Sequence, residues 1–236
     1  MKSYFLSPSS LNIFVECPRC FWLKINEKLS RPEQPFSTLP RRMDLLIKAY
    51  FDTYRSEKKL PPELVGKVKG ELFSALELLN KWRNWQTGLR FRDETSGGSV
   101  LCGALDDCLV DGGFHIPIDY KTRGFDLKED STSYYLNQIS FYNLLLEKNG
   151  YKITSFGYLV FYILKGLTEF GQGKFEVSIV KINTDTNKAY SIFKEAIEVL
   201  NGPLPSMNTK CTFCQWAKNT SQLNPEAAQD IPDLFR

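Results

Sequence analysis

Residues 99–122 read SVLCGALDDCLVDGGFHIPIDYKT, and this stretch decides the fold. It holds two runs of β-type residues, 99–110 and 114–122, on either side of Asp111-Gly112-Gly113. Two glycines between such runs are typical of a two-residue hairpin turn, because both central residues of that turn need positive φ. We therefore predict an antiparallel hairpin near the middle of the chain.

The predicted turn also fixes which residues face each other across the hairpin. If the two glycines form the loop, Asp106 lies opposite Asp119 and Ala104 lies opposite Lys121. Side chains alternate between the faces of a strand, so Asp119 and Lys121 share a face. Opposed carboxylates repel each other unless a cation neutralises them. The register thus predicts a cation site; two solvent-facing acids with Lys121 as a salt-bridge partner are the alternative.

The residue types at the hairpin suit a hard divalent cation. Mg²⁺ and Mn²⁺ prefer carboxylate and carbonyl oxygens, so we place Mg²⁺ or Mn²⁺ on Asp106, Asp119 and the backbone carbonyl of Tyr120. Such a cation lowers the pKa of a water, and the Lys121 ammonium would orient that water or help to deprotonate it. We expect a site of this kind beside a phosphate-bearing substrate.

Periodicity predicts further helices and strands around the hairpin. Ser7 before Pro8 is typical of a helix start, and Asn149-Gly150 is typical of a helix end. The predicted helices are a short one after Ser7, then 43–55, 71–82, 132–148, and a segment from Thr184 or Asp185 to Leu200. Strands are predicted over 156–164 and 174–182. The strand–helix–strand order makes 114–122 and 156–164 parallel.

These elements indicate an α/β fold in which a mixed sheet core is flanked by helices. The composition is that of an ordinary globular protein, with 42% hydrophobic and 24% charged residues. We find no internal repeat and no linker, so we expect one domain over 1–236. Its parts are a helical N-terminal part (1–95), a catalytic sheet core (99–182), a C-terminal helix with a cysteine knuckle (183–218) and a tail (219–236).

Bulk composition also limits the partners and the location. A net charge of +3 is compatible with a phosphate-bearing partner but does not require one. The N-terminus has no apolar signal region, and no stretch approaches the roughly 18 apolar residues of a membrane span. We therefore expect a cytoplasmic protein without membrane contact.

Four of the six cysteines form two Cys-x-x-Cys pairs near opposite ends of the sequence. The pairs are Cys17/Cys20 and Cys211/Cys214. In a reducing compartment such pairs are more often metal ligands or redox groups than disulfides. Together they would hold one tetrahedral ion if the two ends meet in the fold, and a metal-free cluster is the alternative. Cys102 and Cys108 are expected to be small buried residues.

Three motifs, in this order, resemble those of RecB-type PD-(D/E)XK nucleases. They are Gly103-Ala104-Leu105-Asp106, Ile118-Asp119-Tyr120-Lys121-Thr122 and Gln138-x-x-x-Tyr142. The likeness is greatest to the CRISPR-associated exonuclease family with a cysteine cluster, which Cys17-Pro18-Arg19 and Cys211-x-x-Cys214 also resemble. The resemblance implies a restriction-endonuclease-like fold, metal binding by Asp106 and Asp119, a catalytic Lys121, and active-site positions for Gln138 and Tyr142.

Two features depart from the pattern of that family. RecB-type nucleases usually carry a histidine or an acid on an earlier helix as a further metal ligand, but the only histidine here is His115, which we expect to be structural. Lys48 stands at the position expected for that ligand, and Asp44 is the candidate replacement. The cysteines of the family are typically split one and three around an iron–sulfur cluster. The even split here favours Zn²⁺, with a 4Fe-4S cluster as the alternative.

The expected partner is DNA, as single strands or ends, and a helicase or a CRISPR protein is a candidate supplier of that substrate. Lys81-Trp82-Arg83-Asn84-Trp85 interleaves cations with aromatic residues, which is typical of single-strand binding. An amphipathic helix end with tryptophan in the core gives the same pattern. The sequence alone does not choose between them.

Three functions follow from these observations. The leading one is a divalent-metal-dependent deoxyribonuclease, an exonuclease on DNA ends or single strands. The second is a DNA-binding or assembly module that keeps the nuclease fold but cuts weakly or not at all, because the early-helix ligand is missing. The third is a redox-sensing iron–sulfur protein.

Overall fold

The computed structural model describes residues 2–32, 38–128 and 132–223. Within these ranges, two mixed sheets are flanked by seven α-helices. The helices are α1 (Pro8–Glu16), α2 (Pro18–Asn26), α3 (Thr38–Ser56), α4 (Leu76–Arg83), α5 (Ser133–Lys148), α6 (Thr186–Asn201) and α7 (Thr212–Leu223). The strands are β1 (Phe5–Leu6), β2 (Glu71–Leu72), β3 (Leu89–Asp93), β4 (Ser99–Gly103), β5 (Asp107–Asp111), β6 (Phe114–Arg123), β7 (Phe156–Leu167) and β8 (Gly173–Asn183). The predicted fold class is confirmed.

The central hairpin forms as predicted. Strands β5 and β6 are antiparallel, and Val110 pairs with His115 next to the turn. Gly112 and Gly113 have φ values of 55° and 84°, the positive values that this two-residue turn requires. The register expected from the glycine pair is therefore confirmed for β5 and β6.

The prediction of one continuous strand over 99–110 is wrong. The chain leaves β4 after Gly103 and enters β5 at Asp107, and the two strands belong to different sheets. A side chain at Gly103 would lie 2.6 Å from a side-chain atom of α5, so this glycine lets the helix pack directly on the end of β4. The bend takes Ala104 out of the ladder between β5 and β6, which ends at the pair Asp107–Ile118, so the expected pair of Ala104 with Lys121 does not form.

The larger sheet has the strand order β2-β5-β6-β7-β8, and the smaller one has the order β1-β4-β3. Strands β6 and β7 are parallel, as predicted, with α5 as the connection between them. Strand β7 is buried on both faces. Leu159 and Phe161 join the core with α5 and α6, whereas Tyr158 and Val160 join the core beneath α3. The same alternation along β6 decides which helix its polar side chains meet.

Helix ends follow the capping residues closely. Helix α1 begins at Pro8 behind Ser7, whose side chain accepts a hydrogen bond from a backbone N–H of the first turn. Helix α6 follows Asp185, which caps it in the same way through the backbone N–H of Lys188. Helix α5 ends at Lys148, where the sequence predicted a stop.

The first part of the chain is less helical than predicted. The helix expected over 71–82 is wrong at its start, because 71–72 form the edge strand β2 and α4 begins only at Leu76. Pairing with β5 outweighs the local helix preference of these two residues. The region 1–95 also contains β1 and β3, so it is not purely helical.

The C-terminal part differs from the predicted tail. Helix α7 continues to Leu223, inside the stretch 219–236 that showed little periodicity, and residues 224–236 lie outside the described ranges. None of the helices in the described ranges combines the length and the apolarity needed to cross a bilayer.

Candidate active site and cysteine cluster

Side-chain alternation along β6 places Asp119 and Lys121. Ile118 and Tyr120 belong to the core beneath α3, so Asp119 and Lys121 point to the opposite face, towards α5. The Lys121 ammonium lies 2.5 Å from Asp119 Oδ2 and 4.8 Å from the ring centroid of Tyr135 on α5. The shared face predicted for Asp119 and Lys121 is present, and α5 covers it.

Asp106 reaches the same site from the bend before β5. Its Oδ2 accepts a hydrogen bond from the backbone N–H of Tyr120 at 3.2 Å, and its Oδ1 lies 2.8 Å from the ammonium of Lys48. The same ammonium lies 2.8 Å from Asp44 Oδ2, one helical turn earlier on α3. Asp106 therefore lies beside Asp119 as expected, although the pairing of β5 with β6 ends at Asp107 and does not include Asp106.

Asp119 is a strongly perturbed acid. Its side chain is only 1% exposed. Burial and the charge of Asp106 raise its pKa to about 7, although the Lys121 ammonium acts in the opposite direction. Its Oδ2 accepts no hydrogen bond of regular geometry from the described residues. The Lys121 ammonium lies 2.5 Å from this oxygen, so the position attracts positive charge.

Gln138 and Tyr142 lie one turn apart on α5 and both reach Asp119. The Gln138 amide donates to Asp119 Oδ1 at 2.9 Å and to the Tyr142 hydroxyl at 2.8 Å. Tyr142 is buried, and burial raises its pKa well above the usual value, so it remains protonated. The structure thus brings both residues to the predicted site: Gln138 holds a carboxylate oxygen of Asp119, and Tyr142 holds Gln138.

These side chains surround a cavity of about 360 Å³. It is lined by Pro40, Asp44, Asp106, Asp119, Tyr120, Lys121, Thr122, Gln138 and Tyr142. Every residue predicted for the active site or its metal lines this cavity. Pro40 belongs to the first turn of α3, which begins at Thr38, earlier than the helix predicted over 43–55.

A buried ion network behind the cavity was not predicted. Asp107 is 0% exposed and binds Arg55 Nη2 through both oxygens at 2.7 and 2.6 Å. It also accepts from Arg83 at 3.0 Å and from the Tyr120 hydroxyl at 2.7 Å. Arg83 donates in addition to the backbone carbonyl of Asp106 at 2.8 Å. The sequence signal for this network was the pair Asp106-Asp107 at the start of a buried strand. One acid of such a pair must be buried, and a buried acid needs a cation as its partner.

The four cysteines of the two Cys-x-x-Cys pairs meet in one buried cluster. Cys17 Sγ lies 3.6 Å from Cys214 Sγ, and Cys20 Sγ lies 3.7 Å from Cys211 Sγ. All four sulfur atoms lie within 4.8 Å of one another. The cluster joins the α1–α2 junction to the start of α7, so the predicted meeting of the two ends is confirmed. Both remaining cysteines are buried elsewhere, as expected.

The thiols of this cluster have unequal environments. Burial raises the pKa of Cys20 to about 12. At Cys211 burial acts in the same direction, but hydrogen bonds from the backbone N–H groups of Cys214 and Phe213 and from neighbouring thiols outweigh it and lower the pKa to about 7. The guanidinium of Arg31 lies 4.0 Å from Cys211 Sγ and adds positive charge. This environment favours a thiolate, the form that binds metals.

Segment 81–85 is not the stacking surface that its pattern suggested. Trp82 is 3% exposed and stacks on Phe73 with 4.9 Å between ring centroids. Arg83 is part of the buried ion network. Trp85 is exposed. The single-strand interpretation is therefore wrong for Trp82 and Arg83, because the helix end that carries them packs against the core.

His115 has the structural environment expected for it. Its ring packs against Phe73, Trp82 and Tyr151, with centroids 4.8 to 6.4 Å away. Burial lowers its pKa, which favours the neutral form. It does not line the cavity.

Comparison with known proteins gives one family and one fold. A family model described as the PD-(D/E)XK nuclease superfamily matches residues 5–218. The chain is similar in structure to the crystal structure of SSO0001, with a TM-score of 0.50 and 16% identity over 92% of this chain and 86% of that chain. At this identity the likeness concerns the fold alone. No curated protein matches. The family match includes every cavity-lining residue and all four clustered cysteines.

Proposed function

Because the chain belongs to the PD-(D/E)XK nuclease superfamily, we propose that it is a divalent-metal-dependent deoxyribonuclease that hydrolyses phosphodiester bonds. The observation that carries the proposal is the convergence of Asp106, Asp119 and Lys121 on one cavity. Exonuclease action on DNA ends or single strands is the finer form of the proposal. It is supported by the resemblance of the three motifs to CRISPR-associated exonucleases.

The residues around the cavity fit a divalent cation. Asp119 is buried with an oxygen that accepts no regular hydrogen bond, and the Asp106 carboxylate lies beside it. Both are hard oxygen ligands of the kind Mg²⁺ and Mn²⁺ prefer. The Tyr120 carbonyl and Asp44 are the proposed additional ligands. When bound, the cation would polarise a phosphate oxygen and make a water more acidic.

Lys121 contributes charge rather than a free amine. Burial lowers its pKa, but the adjacent Asp119 carboxylate outweighs burial and raises it, so the side chain stays an ammonium. We therefore assign to Lys121 the orientation of the attacking water and the neutralisation of charge that develops on the phosphate oxygens. Gln138 positions Asp119 through its hydrogen bond at 2.9 Å, and Tyr142 positions Gln138 at 2.8 Å.

For the cysteine cluster we propose one Zn²⁺ ion. Zinc–sulfur bonds of about 2.3 Å in a tetrahedron require sulfur atoms about 3.8 Å apart. The observed contacts of 3.6 and 3.7 Å are close to this spacing. A 4Fe-4S cluster gives each thiolate a different iron and so needs wider separations. One zinc per chain in elemental analysis supports the proposal; stoichiometric iron and sulfide with a brown colour would overturn it.

We also propose that 1–236 acts as one domain. Strand β1 pairs with β4, the Tyr4 hydroxyl donates to the Leu200 carbonyl at 2.9 Å, and the cysteines join both ends. DNA is the proposed substrate, and a helicase or a CRISPR protein is the proposed supplier of its ends or single strands. A cytoplasmic location stays a prediction.

The test is degradation of end-labelled single- and double-stranded DNA with Mn²⁺. We expect Asp119→Asn and Lys121→Met to lose about 100-fold or more of the wild-type rate. Asp111→Asn, at the exposed far end of the same hairpin, is the matched control and should cut like the wild type. A wild-type protein that binds DNA without shortening it would overturn the nuclease proposal in favour of the binding module.

A further inference from the structure

Among the described residues of α3, Lys48 is the cation that contacts the acids of the cavity. Its ammonium lies 2.8 Å from Asp44 Oδ2 and 2.8 Å from Asp106 Oδ1. It therefore bridges two carboxylates from different elements, one on the helix and one at the bend before β5. A bridging position of this kind is also what a metal ion takes between carboxylates.

The burial of this ammonium shows that its charge is retained. The Lys48 side chain is 16% exposed, and a cation so far from water persists only when its partners compensate the lost hydration. The two carboxylate contacts at 2.8 Å supply that compensation, so the Lys48 ammonium is a fixed positive charge.

The charges around the cavity balance with one divalent cation. Three carboxylates, on Asp44, Asp106 and Asp119, meet two ammonium groups, on Lys48 and Lys121, which leaves one excess negative charge. One divalent cation together with one phosphodiester brings the site to neutrality. A second divalent cation would leave two uncompensated positive charges in a largely buried site, which is costly.

The available oxygen atoms lead to the same result. Nucleases with two metal ions hold them about 3.5–4 Å apart, usually between shared oxygen ligands. Here Asp106 Oδ1 is taken by Lys48, and Asp106 Oδ2 by the Tyr120 N–H. Asp119 Oδ1 accepts from the Gln138 amide, so Asp119 Oδ2 is the oxygen without a hydrogen bond of regular geometry, and it faces the Lys121 ammonium at 2.5 Å.

We infer that the Lys48 ammonium takes the place of one cation in the active site, so that this nuclease site holds a single divalent ion. The inference rests on the proposed function, because it concerns the same carboxylates. It makes Lys48 a positioning residue: it holds Asp106 and Asp44 as a metal ion would and leaves Asp119 to receive the one exchangeable ion.

The test counts the Mn²⁺ ions bound by the purified protein, with its cysteine cluster loaded. Free Mn²⁺ is measured by electron paramagnetic resonance during titration, and the binding to an Asp106→Asn/Asp119→Asn variant is subtracted. We expect one ion for the wild type and for Lys48→Arg, and two for Lys48→Met, which keeps the side-chain length without the charge. Lys59→Met on an exposed lysine should bind one ion, like the wild type.

Each outcome decides the matter. Two ions in the wild type, or one ion in a folded Lys48→Met, overturns the inference and leaves the proposed metal-dependent nuclease intact. No specific Mn²⁺ in the wild type overturns the proposed metal site, and the inference fails with it. If Lys48→Met does not fold without metal, Lys48→Gln is counted instead. Its Mn²⁺-induced rise in melting temperature should then exceed that of the wild type, and an equal rise would overturn the inference.

Discussion

Replacement of Asp107 by asparagine should destabilise the protein far more than a surface change on the same strand. Asp107 is 0% exposed and accepts hydrogen bonds from Arg55 at 2.6 and 2.7 Å, from Arg83 at 3.0 Å and from the Tyr120 hydroxyl at 2.7 Å. Asparagine keeps the shape but removes the negative charge. Two buried guanidinium groups then share one remaining carboxylate, Asp52, to which both donate.

The expected magnitude follows from this uncompensated charge. Removal of one partner from a buried ion pair costs about 3–5 kcal/mol, and the oxygen that asparagine retains places Asp107→Asn near the lower end, at about 3 kcal/mol. Tyr120→Phe removes a single hydrogen bond to a charged group and should cost about 1.5–3 kcal/mol. Asp111→Asn, exposed on the same strand, should change the free energy of unfolding by less than about 0.5 kcal/mol.

Urea unfolding followed by tryptophan fluorescence measures all three variants. The folded Asp107→Asn protein should also bind Mn²⁺ more weakly than the wild type, because Arg83 links the network to the Asp106 carbonyl at 2.8 Å. A loss of less than about 1 kcal/mol in Asp107→Asn would refute the reasoning. It would mean that water or other partners compensate Arg55 and Arg83.

Three further predictions test other parts of the molecule. In metal-free buffer, the stability of the wild type relative to Asp119→Asn should fall by about 1.4 kcal/mol per pH unit as the pH rises from about 4 to 7. The reason is that the pKa of Asp119 is about 7 in the folded protein but has the ordinary value of 3.8 in the unfolded chain. The protonated side chain therefore contributes its full stability at low pH and loses it as the pH rises past 7. A difference in urea unfolding that does not change with pH would contradict this. A strong chelator should lower the free energy of unfolding of the wild type by about 4 kcal/mol if the ion is present at about a thousand times its Kd. The Cys211→Ser variant should show the same loss of stability without chelator, whereas Cys102→Ser should keep the stability of the wild type. Thermal melts of each variant with and without chelator measure this. Gly103→Ala should cost about 1–3 kcal/mol, because its Cβ would lie 2.6 Å from a Leu145 side-chain atom. Gly124→Ala, with open space around it, should be nearly neutral in the same measurement.

The sequence was most informative where local rules act alone. The glycine pair Gly112-Gly113 set the register of the hairpin, and period-two alternation placed Asp119 and Lys121 on one face. Gln138 and Tyr142, which the family resemblance brought to the site, share one face of α5 because they are four residues apart. These predictions need only the geometry of one element or of one turn, so a single sequence is sufficient for them.

Features that depend on distant packing were missed. The break after Gly103 arises because α5 packs on the end of β4, and the periodicity of the strand contains no trace of that helix. The ion network of Asp107 joins residues from α3, α4 and β6, and the partner of a buried acid is not encoded near it. In the same way, the resemblance placed Lys48 at the position expected for a metal ligand but could not show that its ammonium reaches Asp106.

The cysteine cluster has a consequence for the order of events during synthesis. Cys17 and Cys20 emerge from the ribosome early, whereas Cys211 and Cys214 follow only after both sheets and α6 have been made. An ion held by all four sulfur atoms is therefore acquired at full strength only by a chain that has been translated past α7. A product that stops earlier keeps two thiols, too few to close the coordination sphere. Bound metal would thus distinguish chains translated past α7 from shorter ones.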